Sequence, residues 1–258
     1  MESIYEKPEL PKCITGSYDL ISCIKCSEKS SLYKVSDKKS GDIFLLKEKS
    51  VMEKERVEGE YRMLKKIHDD NPGIHIPKAV DFIQDKDACY LVREYIRGKT
   101  LSDMVEDSEE LSDIETGLDI ADEVCDILMQ LHSMNPQVIV RDIKASNIVM
   151  SGDSQNYMPY LIDLDASRFY NRDTGDDTIY LGTKQTAAPE QFGFSQTDVR
   201  TDVYGAGMLL LFLLTGDYDK NGANFKRLPF SIRHVINKAT SFDPKRRYKS
   251  IRSFRIAL

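Results

Sequence analysis

The chain has 258 residues, 41% hydrophobic and 30% charged, so it can bury one large core or two small cores as a soluble globular protein. Its formal net charge of -6 argues against a general nucleic-acid-binding surface, which needs positive charge to neutralise phosphates. Residues 1–12 are polar, and the longest strongly apolar run, Met208 to Leu214, is too short to cross a bilayer. We therefore expect a cytoplasmic protein with no signal peptide, no membrane span and no nucleic-acid partner.

The first hundred residues are predicted to be mostly strands, and a break near Gly98 separates them from a helix-rich remainder. Strands are expected at 18–22, 31–35, 43–47 and 88–92. A helix from about Lys54 to Ile67 has apolar residues at a period of roughly 3.6. Cys23 and Cys26 form a C-x-x-C without a second pair at zinc-finger spacing. We expect an accidental pair of strand cysteines there, with a redox or metal role as the alternative.

Two further helices are predicted in the second half of the chain. The sequence Ser112-Asp113-Ile114-Glu115 is a capping-box pattern that opens an amphipathic helix. The segment from Asp202 to Leu214 is apolar on most sides and is followed by Thr215-Gly216, which predicts a buried central helix with a glycine C-cap.

Several polar residues could together serve phosphoryl transfer, which needs a base, metal ligands and positive charge on the phosphates. Asp142 and Asn147 lie in a polar segment before the short predicted strand Ile148 to Met150. Asp163 follows a second short strand at 160–162. A hairpin of these strands would bring Asn147 and Asp163 together as oxygen ligands suited to magnesium.

The segments Arg141 to Asn147, Asp163 and Ala188-Pro189-Glu190 together resemble eukaryotic-like, bacterial-type serine/threonine protein kinases. The resemblance covers nearly the whole chain. It implies an α+β fold and a single two-lobed domain over 1–258. A small β-rich lobe with one regulatory helix would occupy about 1–96, and a larger, mainly helical lobe about 97–258.

The resemblance also implies a role for each matching residue in transfer of the γ-phosphate of ATP to serine or threonine hydroxyls of a protein. Asp142 would accept the hydroxyl proton, and Lys144 would neutralise the transferring phosphate. The roles of the other matching residues would be as follows: Asn147 and Asp163 would bind Mg²⁺ or Mn²⁺; Lys47, paired with Glu60, would bind the α- and β-phosphates; Lys25, Ser27, Ser30, Leu32, Leu45, Arg93, Glu94, Ile96 and Val149 would contribute to the nucleotide site.

Other matching residues would support or regulate the site. Glu190 and Arg247 would form a buried ion pair, and Asp202 matches a buried aspartate of the central helix. Gly182-Thr183 resembles serine/threonine rather than tyrosine kinases. Thr174 and Thr178 would be autophosphorylation candidates, with Arg141 as the partner of the added phosphate.

The sequence departs from the family pattern mainly around the nucleotide. The segment Lys25 to Leu32 contains no glycine, although glycine lets backbone amides approach phosphates closely. Leu45 replaces a small alanine, and Arg93 precedes the hinge residues 94–96. Two changes lie elsewhere: Val140 replaces the histidine before Arg141, and Asp165 replaces the glycine of D-F-G.

These departures leave two alternatives to an active protein kinase. The glycine-free loop and Arg93 would suit a pseudokinase that acts as a scaffold or binding module. Asp163-Leu164-Asp165 is similar to the D-x-D of small-molecule phosphotransferases, although Ala188-Pro189-Glu190 with a distant arginine is not expected in them. The protein substrate, the activating signal and the oligomeric state stay open.

Overall fold

The computed structural model describes residues 10–27, 30–107, 113–152, 157–170, 183–193 and 196–258. The chain forms two compact units. The amino-terminal unit contains the described residues up to Pro72 together with Ile76–Ile96, and the carboxyl-terminal unit contains Gly73–His75 and Arg97–Leu258.

The amino-terminal unit is an antiparallel sheet with one long helix. Its five described strands have the order β1-β2-β3-β5-β4. A single 3-10 turn, Val51–Glu53, precedes the long helix α2. The elements in chain order are α1 (Lys12–Thr15), β1 (Tyr18–Cys26), β2 (Ser30–Asp37), β3 (Ile43–Ser50), α2 (Lys54–Asp70), β4 (Ala79–Gln84) and β5 (Ala88–Glu94).

The predicted strands are all present, and each is longer than the sequence indicated. Strand β4 was not predicted, because its residues Asp81 and Gln84 interrupt the apolar pattern. One side of the sheet buries a cluster of tyrosines and aliphatic residues. Its buried members are Ile14, Tyr18, Tyr33, Val35, Leu46, Ala88, Tyr90 and Val92.

Cys23 and Cys26 are more than an accidental pair of strand cysteines, because the structure joins them in a disulfide. Residues three apart in a regular strand point to opposite faces. Strand β1, however, has a register shift against β2 between Cys23 and Lys25. This bulge brings the two Cα atoms to 6.6 Å, within the range for a disulfide.

Helix α2 confirms the predicted amphipathic pattern and adds one polar exception. Its buried residues are Val57, Glu60, Met63, Leu64 and Ile67, which recur every three residues except for the adjacent pair Met63 and Leu64, as one broad helical face requires. Glu60 is thus the one acidic side chain on the apolar face of α2. A carboxylate in this position needs a charged partner.

The described part of the carboxyl-terminal unit is mainly helical, with two small antiparallel sheets of order β6-β8-β9 and β10-β7. Single 3-10 turns occur at Ala145–Asn147, Pro189–Phe192 and Pro244–Arg246. The elements in chain order are β6 (Lys99–Thr100), α3 (Leu101–Glu106), α4 (Ile114–Ser133), β7 (Val138–Ile139), β8 (Ile148–Ser151), β9 (Met158–Leu161), β10 (Arg168–Phe169), α5 (Val199–Thr215), α6 (Ala223–Arg227), α7 (Phe230–Ala239) and α8 (Ile251–Arg255).

Helix α5 is the predicted buried central helix, and it begins earlier than expected. Asp198 caps its first turn by accepting a hydrogen bond from the Arg200 N–H, so Asp202 lies inside the helix rather than at its start. Gly216 ends the helix with φ 76°, a left-handed conformation that favours glycine. Helix α4 begins after Asp113, which accepts a hydrogen bond from the Thr116 N–H. No helix within the described ranges has both the length and the apolar character needed to cross a membrane.

Candidate active site

Lys47 and Glu60 form a buried ion pair in the amino-terminal unit. Lys47 lies on β3, between Leu32 of β2 and Leu91 of β5 in the strand register. Its Nζ lies 2.8 Å from Oε2 of Glu60, and the two side chains are 6% and 2% exposed. Such burial is tolerated only for a well-paired charge, because desolvation of an isolated ion is expensive. The helix and the sheet of this unit therefore hold a lysine ammonium in a fixed position.

The hairpin of β1 and β2 contains the residues expected to contact phosphates. Lys25 pairs with Leu32 across the hairpin. Ser27 Oγ donates a hydrogen bond to the Ser30 carbonyl at 2.7 Å and accepts one from the Ser30 N–H at 3.2 Å. The hydrogen bonds between Ser27 and Ser30 thus close the hairpin. Lys25 and Ser27 are exposed.

Two residues of the amino-terminal unit that depart from the family pattern are neighbours in the sheet. Leu45 of β3 pairs directly with Arg93 of β5, and both are buried. Directly opposed residues of antiparallel strands lie on the same face, with Cβ atoms about 5 Å apart. Glu94 continues β5, and its backbone N–H donates to the Lys78 carbonyl at 2.8 Å. The two departures from the family pattern, Leu45 and Arg93, therefore lie side by side on one face of the sheet. Ile96 is half-buried at the end of this unit.

Asp142 is the centre of a hydrogen-bonded cluster in the carboxyl-terminal unit. Its Oδ2 accepts from Lys144 Nζ at 2.8 Å and from Asn147 Nδ2 at 3.1 Å. Its Oδ1 accepts from the Thr183 N–H at 3.1 Å and from Thr183 Oγ1 at 2.9 Å. Lys144 Nζ also donates to Thr183 Oγ1 at 2.6 Å. The sequence indicates Thr183 only as part of a family signature, whereas the structure places its hydroxyl directly on the expected base.

Asn147 and Asp163 lie near each other through the β8–β9 hairpin. Ile148 pairs with Leu161, and the Ile162 N–H donates to the Asn147 carbonyl at 2.9 Å, so Asn147 lies opposite the residue before Asp163. Asn147 uses its side-chain nitrogen to bond Asp142, which leaves the amide oxygen as its possible metal ligand. An amide oxygen and a carboxylate are donors that Mg²⁺ prefers, so the residues fit a divalent cation. Val149 is buried in the same hairpin.

The loop that carries Asp142 is held by Asp202 of helix α5. This fully buried carboxylate accepts from the backbone N–H groups of Val140 and Arg141, each at 2.9 Å. It also lies 2.8 Å from Nε2 of His132, at the end of α4. Arg141 has φ 68°, which is unusual for a residue with a side chain. Asp202 thus fixes a strained backbone next to Asp142 and also contacts the His132 ring.

Two additional side chains hold this loop from other directions. Gln191 Nε2 donates to the Arg141 carbonyl at 2.9 Å. The Ala145 N–H donates to Tyr218 Oη at 3.3 Å. Tyr218 stacks on Phe212 of α5, and burial raises the pKa of its hydroxyl. Sequence reasoning missed these contacts and His132 because each joins segments at least 50 residues apart.

Glu190 and Arg247 form the buried ion pair that the sequence predicted. Arg247 donates to both carboxylate oxygens, at 2.7 and 2.8 Å, and the side chains are 0% and 3% exposed. Thr201 Oγ1 donates to the same carboxylate at 2.8 Å. The remaining donors of Arg247 reach backbone carbonyls, so both charges are satisfied.

Asp165 and Arg141 both form hydrogen bonds in the segment around Asp163. The Asp165 N–H donates to Asp163 Oδ1 at 3.1 Å, a bond that needs only the backbone of Asp165. The Arg141 guanidinium donates through Nε to the Ala166 carbonyl at 2.6 Å. Thr174, Thr178 and Gly182 lie outside the described residues.

Comparison with known proteins gives one family. A family model described as protein kinase domain matches residues 24–251. Calmodulin-binding receptor-like cytoplasmic kinase 2 of Arabidopsis thaliana is 31% identical over 205 residues, which are 70% of this chain and 49% of that protein. Serine/threonine-protein kinase D of Synechocystis is 27% identical over 71% of this chain and 38% of its own length. A probable serine/threonine-protein kinase of Clostridium perfringens is 25% identical over 93% and 37%.

The chain therefore spans about half or less of the length of these curated relatives. The match extends over both units and includes the ion pair of Lys47 and the cluster around Asp142. The predicted two-lobed α+β fold is thereby confirmed, with a β-rich amino-terminal unit and a helical carboxyl-terminal unit. This chain belongs to the protein kinase domain family and, within it, to the eukaryotic-like serine/threonine kinases.

Proposed function

We propose that this chain is an active protein kinase that transfers the γ-phosphate of ATP to serine and threonine hydroxyls of a protein substrate. The observation that carries the proposal is the cluster in which Asp142 accepts hydrogen bonds from Lys144, Asn147 and Thr183. These residues hold a carboxylate and an ammonium group within hydrogen-bond distance of each other. A loop that had lost its catalytic use would not need this full set of polar side chains.

In the proposed reaction, Asp142 accepts the proton of the substrate hydroxyl. The hydroxyl oxygen forms a bond to the γ-phosphorus, and the bond between that phosphorus and the β–γ bridging oxygen breaks, which releases ADP. Lys144, whose Nζ lies 2.8 Å from the Asp142 carboxylate, would neutralise the negative charge of the transferring phosphoryl group. Asp142 would thus accept the proton, and Lys144 would neutralise the charge of the phosphoryl group.

Asn147 and Asp163 are the residues that would hold Mg²⁺ or Mn²⁺. When bound, such a cation neutralises charge on the phosphate oxygens. The hydrogen bonds of Asn147 Nδ2 orient its amide oxygen for this role. In the amino-terminal unit, Lys47 would bind the α- and β-phosphates, with its position set by Glu60. Other residues proposed for the nucleotide are Lys25, Ser27, Ser30, Leu32, Leu45, Arg93, Glu94, Ile96 and Val149.

The choice of serine and threonine as acceptors is supported by Thr183 and Lys144. Both contact Asp142, and the two also contact each other. The printed names of the relatives from Synechocystis and Clostridium perfringens describe serine/threonine kinases. The name of the Arabidopsis relative describes a cytoplasmic kinase, and we propose that this chain also acts in the cytoplasm.

The test is a transfer assay with labelled ATP, magnesium and a generic serine/threonine protein substrate. Asp142→Asn keeps the shape of the side chain and removes the base, while Asp87→Asn changes an exposed aspartate as a matched control. We expect transfer by the wild type and by Asp87→Asn, and its loss in Asp142→Asn. No transfer above Asp142→Asn, with no magnesium-dependent stabilisation by ATP, would favour a pseudokinase. Transfer to an aminoglycoside or choline and to no protein would favour a small-molecule phosphotransferase.

Thr174 and Thr178 are the proposed autophosphorylation sites, with Arg141 as the partner of the added phosphate. Mass spectrometry after incubation with ATP and magnesium checks the proposal. Phosphate on either threonine in the wild type but not in Asp142→Asn would support it, and two unmodified threonines in an active enzyme would refute it.

A further inference from the structure

The C-x-x-C of β1 has no part in the proposed reaction. Cys23 and Cys26 are exposed and joined in a disulfide. Among the described residues, Cys13 is exposed and free, whereas Cys89 and Cys125 are buried. The pair is therefore the one place in the described ranges where two sulfur atoms meet on the surface. Solvent access lets small thiols and disulfides reach them.

Stabilisation of the fold is a poor explanation for this disulfide. The two cysteines lie within a single strand, three residues apart, so the bond joins no two elements. A disulfide stabilises a fold least when the loop that it closes is short. Strands β1 and β2 are already paired on both sides of the bond, at Cys23 with Tyr33 and at Cys26 with Ser31. The bond is thus not required to hold the hairpin together.

The disulfide does fix one local feature, the bulge in β1. Without an extra residue between Cys23 and Lys25, the two side chains would point to opposite faces of the strand. The disulfide can exist only while the bulge is present, and it prevents the strand from becoming regular. Reduction removes this constraint and lets the segment from Ile24 to Cys26 change register.

This segment leads directly into the part of the hairpin proposed for the phosphates. Ser27 follows Cys26 and bonds to Ser30 across the hairpin. The side chains on these residues keep backbone amides farther from a phosphate than glycine would. A closer approach to a nucleotide would require the backbone to shift, and the disulfide would oppose that shift.

We propose that Cys23 and Cys26 are a reversible thiol–disulfide modification site that weakens binding of nucleotide phosphates when it is oxidised. The proposal rests on the proposed function of this hairpin. In the oxidation, a thiolate of one cysteine attacks a small disulfide such as oxidised glutathione and releases one thiol. The second cysteine then attacks the mixed disulfide, forms the bond between Cys23 and Cys26, and releases the second thiol. Two electrons and two protons pass from the cysteine pair to the small disulfide.

The experiment compares reduced and oxidised protein. Mass spectrometry of the peptide containing both cysteines establishes the oxidation state, and calorimetry measures the dissociation constant for ATP with magnesium. We expect the reduced form to bind about fivefold more tightly. Changing both residues, Cys23→Ser with Cys26→Ser, should abolish the difference and give the affinity of the reduced form. Cys13→Ser changes the other exposed cysteine and should keep the response.

Three results of these experiments would overturn the proposal. Equal or tighter binding by the oxidised form would refute it while leaving the proposed function intact. Failure of oxidised glutathione to form the bond between Cys23 and Cys26 would refute it in the same way. Absence of ATP binding in both oxidation states would refute the proposed function, and this proposal with it.

Discussion

The two regions expected to handle ATP are built very differently. The loop around Asp142 is held by Asp202, Gln191 and Tyr218, and its polar side chains bond to one another. The hairpin of β1 and β2 is exposed near Lys25 and Ser27, and its closing bonds are local. The groups expected to carry out the chemistry are tightly positioned, whereas the hairpin expected to contact the phosphates lacks the glycines of the family pattern. We infer that this chain differs from other kinases in nucleotide binding more than in the transfer step.

The largest expected effect is a loss of stability in the carboxyl-terminal unit. Arg247→Ala would leave the Glu190 carboxylate buried without its cation, and breaking such a pair costs roughly 3–5 kcal/mol of stability. The free energy of unfolding from denaturant titration measures this loss. Arg252→Ala removes an exposed arginine nearby in the sequence and should change stability little. Equal losses in both variants would contradict a special role for the pair.

Lys47→Met tests whether the amino-terminal unit still contributes to transfer despite its unusual hairpin. The substitution removes the proposed phosphate contact, and we expect the rate to fall about 10²–10³-fold, as for other preorganised charge contacts. Lys49→Met is a matched control, because Lys49 lies on the same strand and pairs with Glu53 instead. A labelled-ATP assay, normalised to folded protein, measures both. Similar rates for wild type and Lys47→Met would show that this unit no longer binds nucleotide productively.

Thr183 tests whether the contacts to Asp142 matter for the rate. Thr183→Val keeps the shape and removes the hydroxyl that bonds both Asp142 and Lys144. We expect a loss of roughly 10-fold to 100-fold in kcat, the scale of one charge-assisted hydrogen bond to a catalytic group. Thr183→Ser retains the hydroxyl and should recover most of the rate. Equal kcat for the serine and valine variants would argue against this role.

Tyr218→Phe should have the smallest effect. It removes one hydrogen bond to the Ala145 N–H and keeps the stacking on Phe212. A net hydrogen bond is worth about 1 kcal/mol, so we expect kcat to fall a few-fold, with little change in the KM for ATP. Steady-state kinetics distinguishes the two parameters. A change confined to KM would show that Tyr218 acts on nucleotide binding and not on the position of the catalytic loop.

Local patterns predicted some of these features well. The period of α2 predicted its buried face, and the Gly216 cap ended α5 where expected. The short strands before Asp163 and after Asn147 form the predicted hairpin. In each case the signal lies within a few neighbouring residues, where propensity and periodicity act.

Contacts between distant segments that the family resemblance does not indicate could not be predicted, and neither could irregular strand geometry. His132 lies 70 residues from Asp202, and no local pattern indicates their contact. The disulfide of Cys23 and Cys26 depends on a bulge, which places both side chains on the same face of β1. A bulge and the register of a strand depend on how the strand pairs with its neighbour, so the residues of the strand alone do not reveal them.

The most direct test of this account is the steady-state dependence of transfer on ATP concentration. We predict a kcat within the usual range for kinases, about 1–100 s⁻¹, because the groups around Asp142 are all in place. We also predict that the KM for ATP falls on replacing Ser27 and Ser30 by glycine, while kcat stays the same. A wild-type enzyme with no transfer at saturating ATP and magnesium would contradict the account.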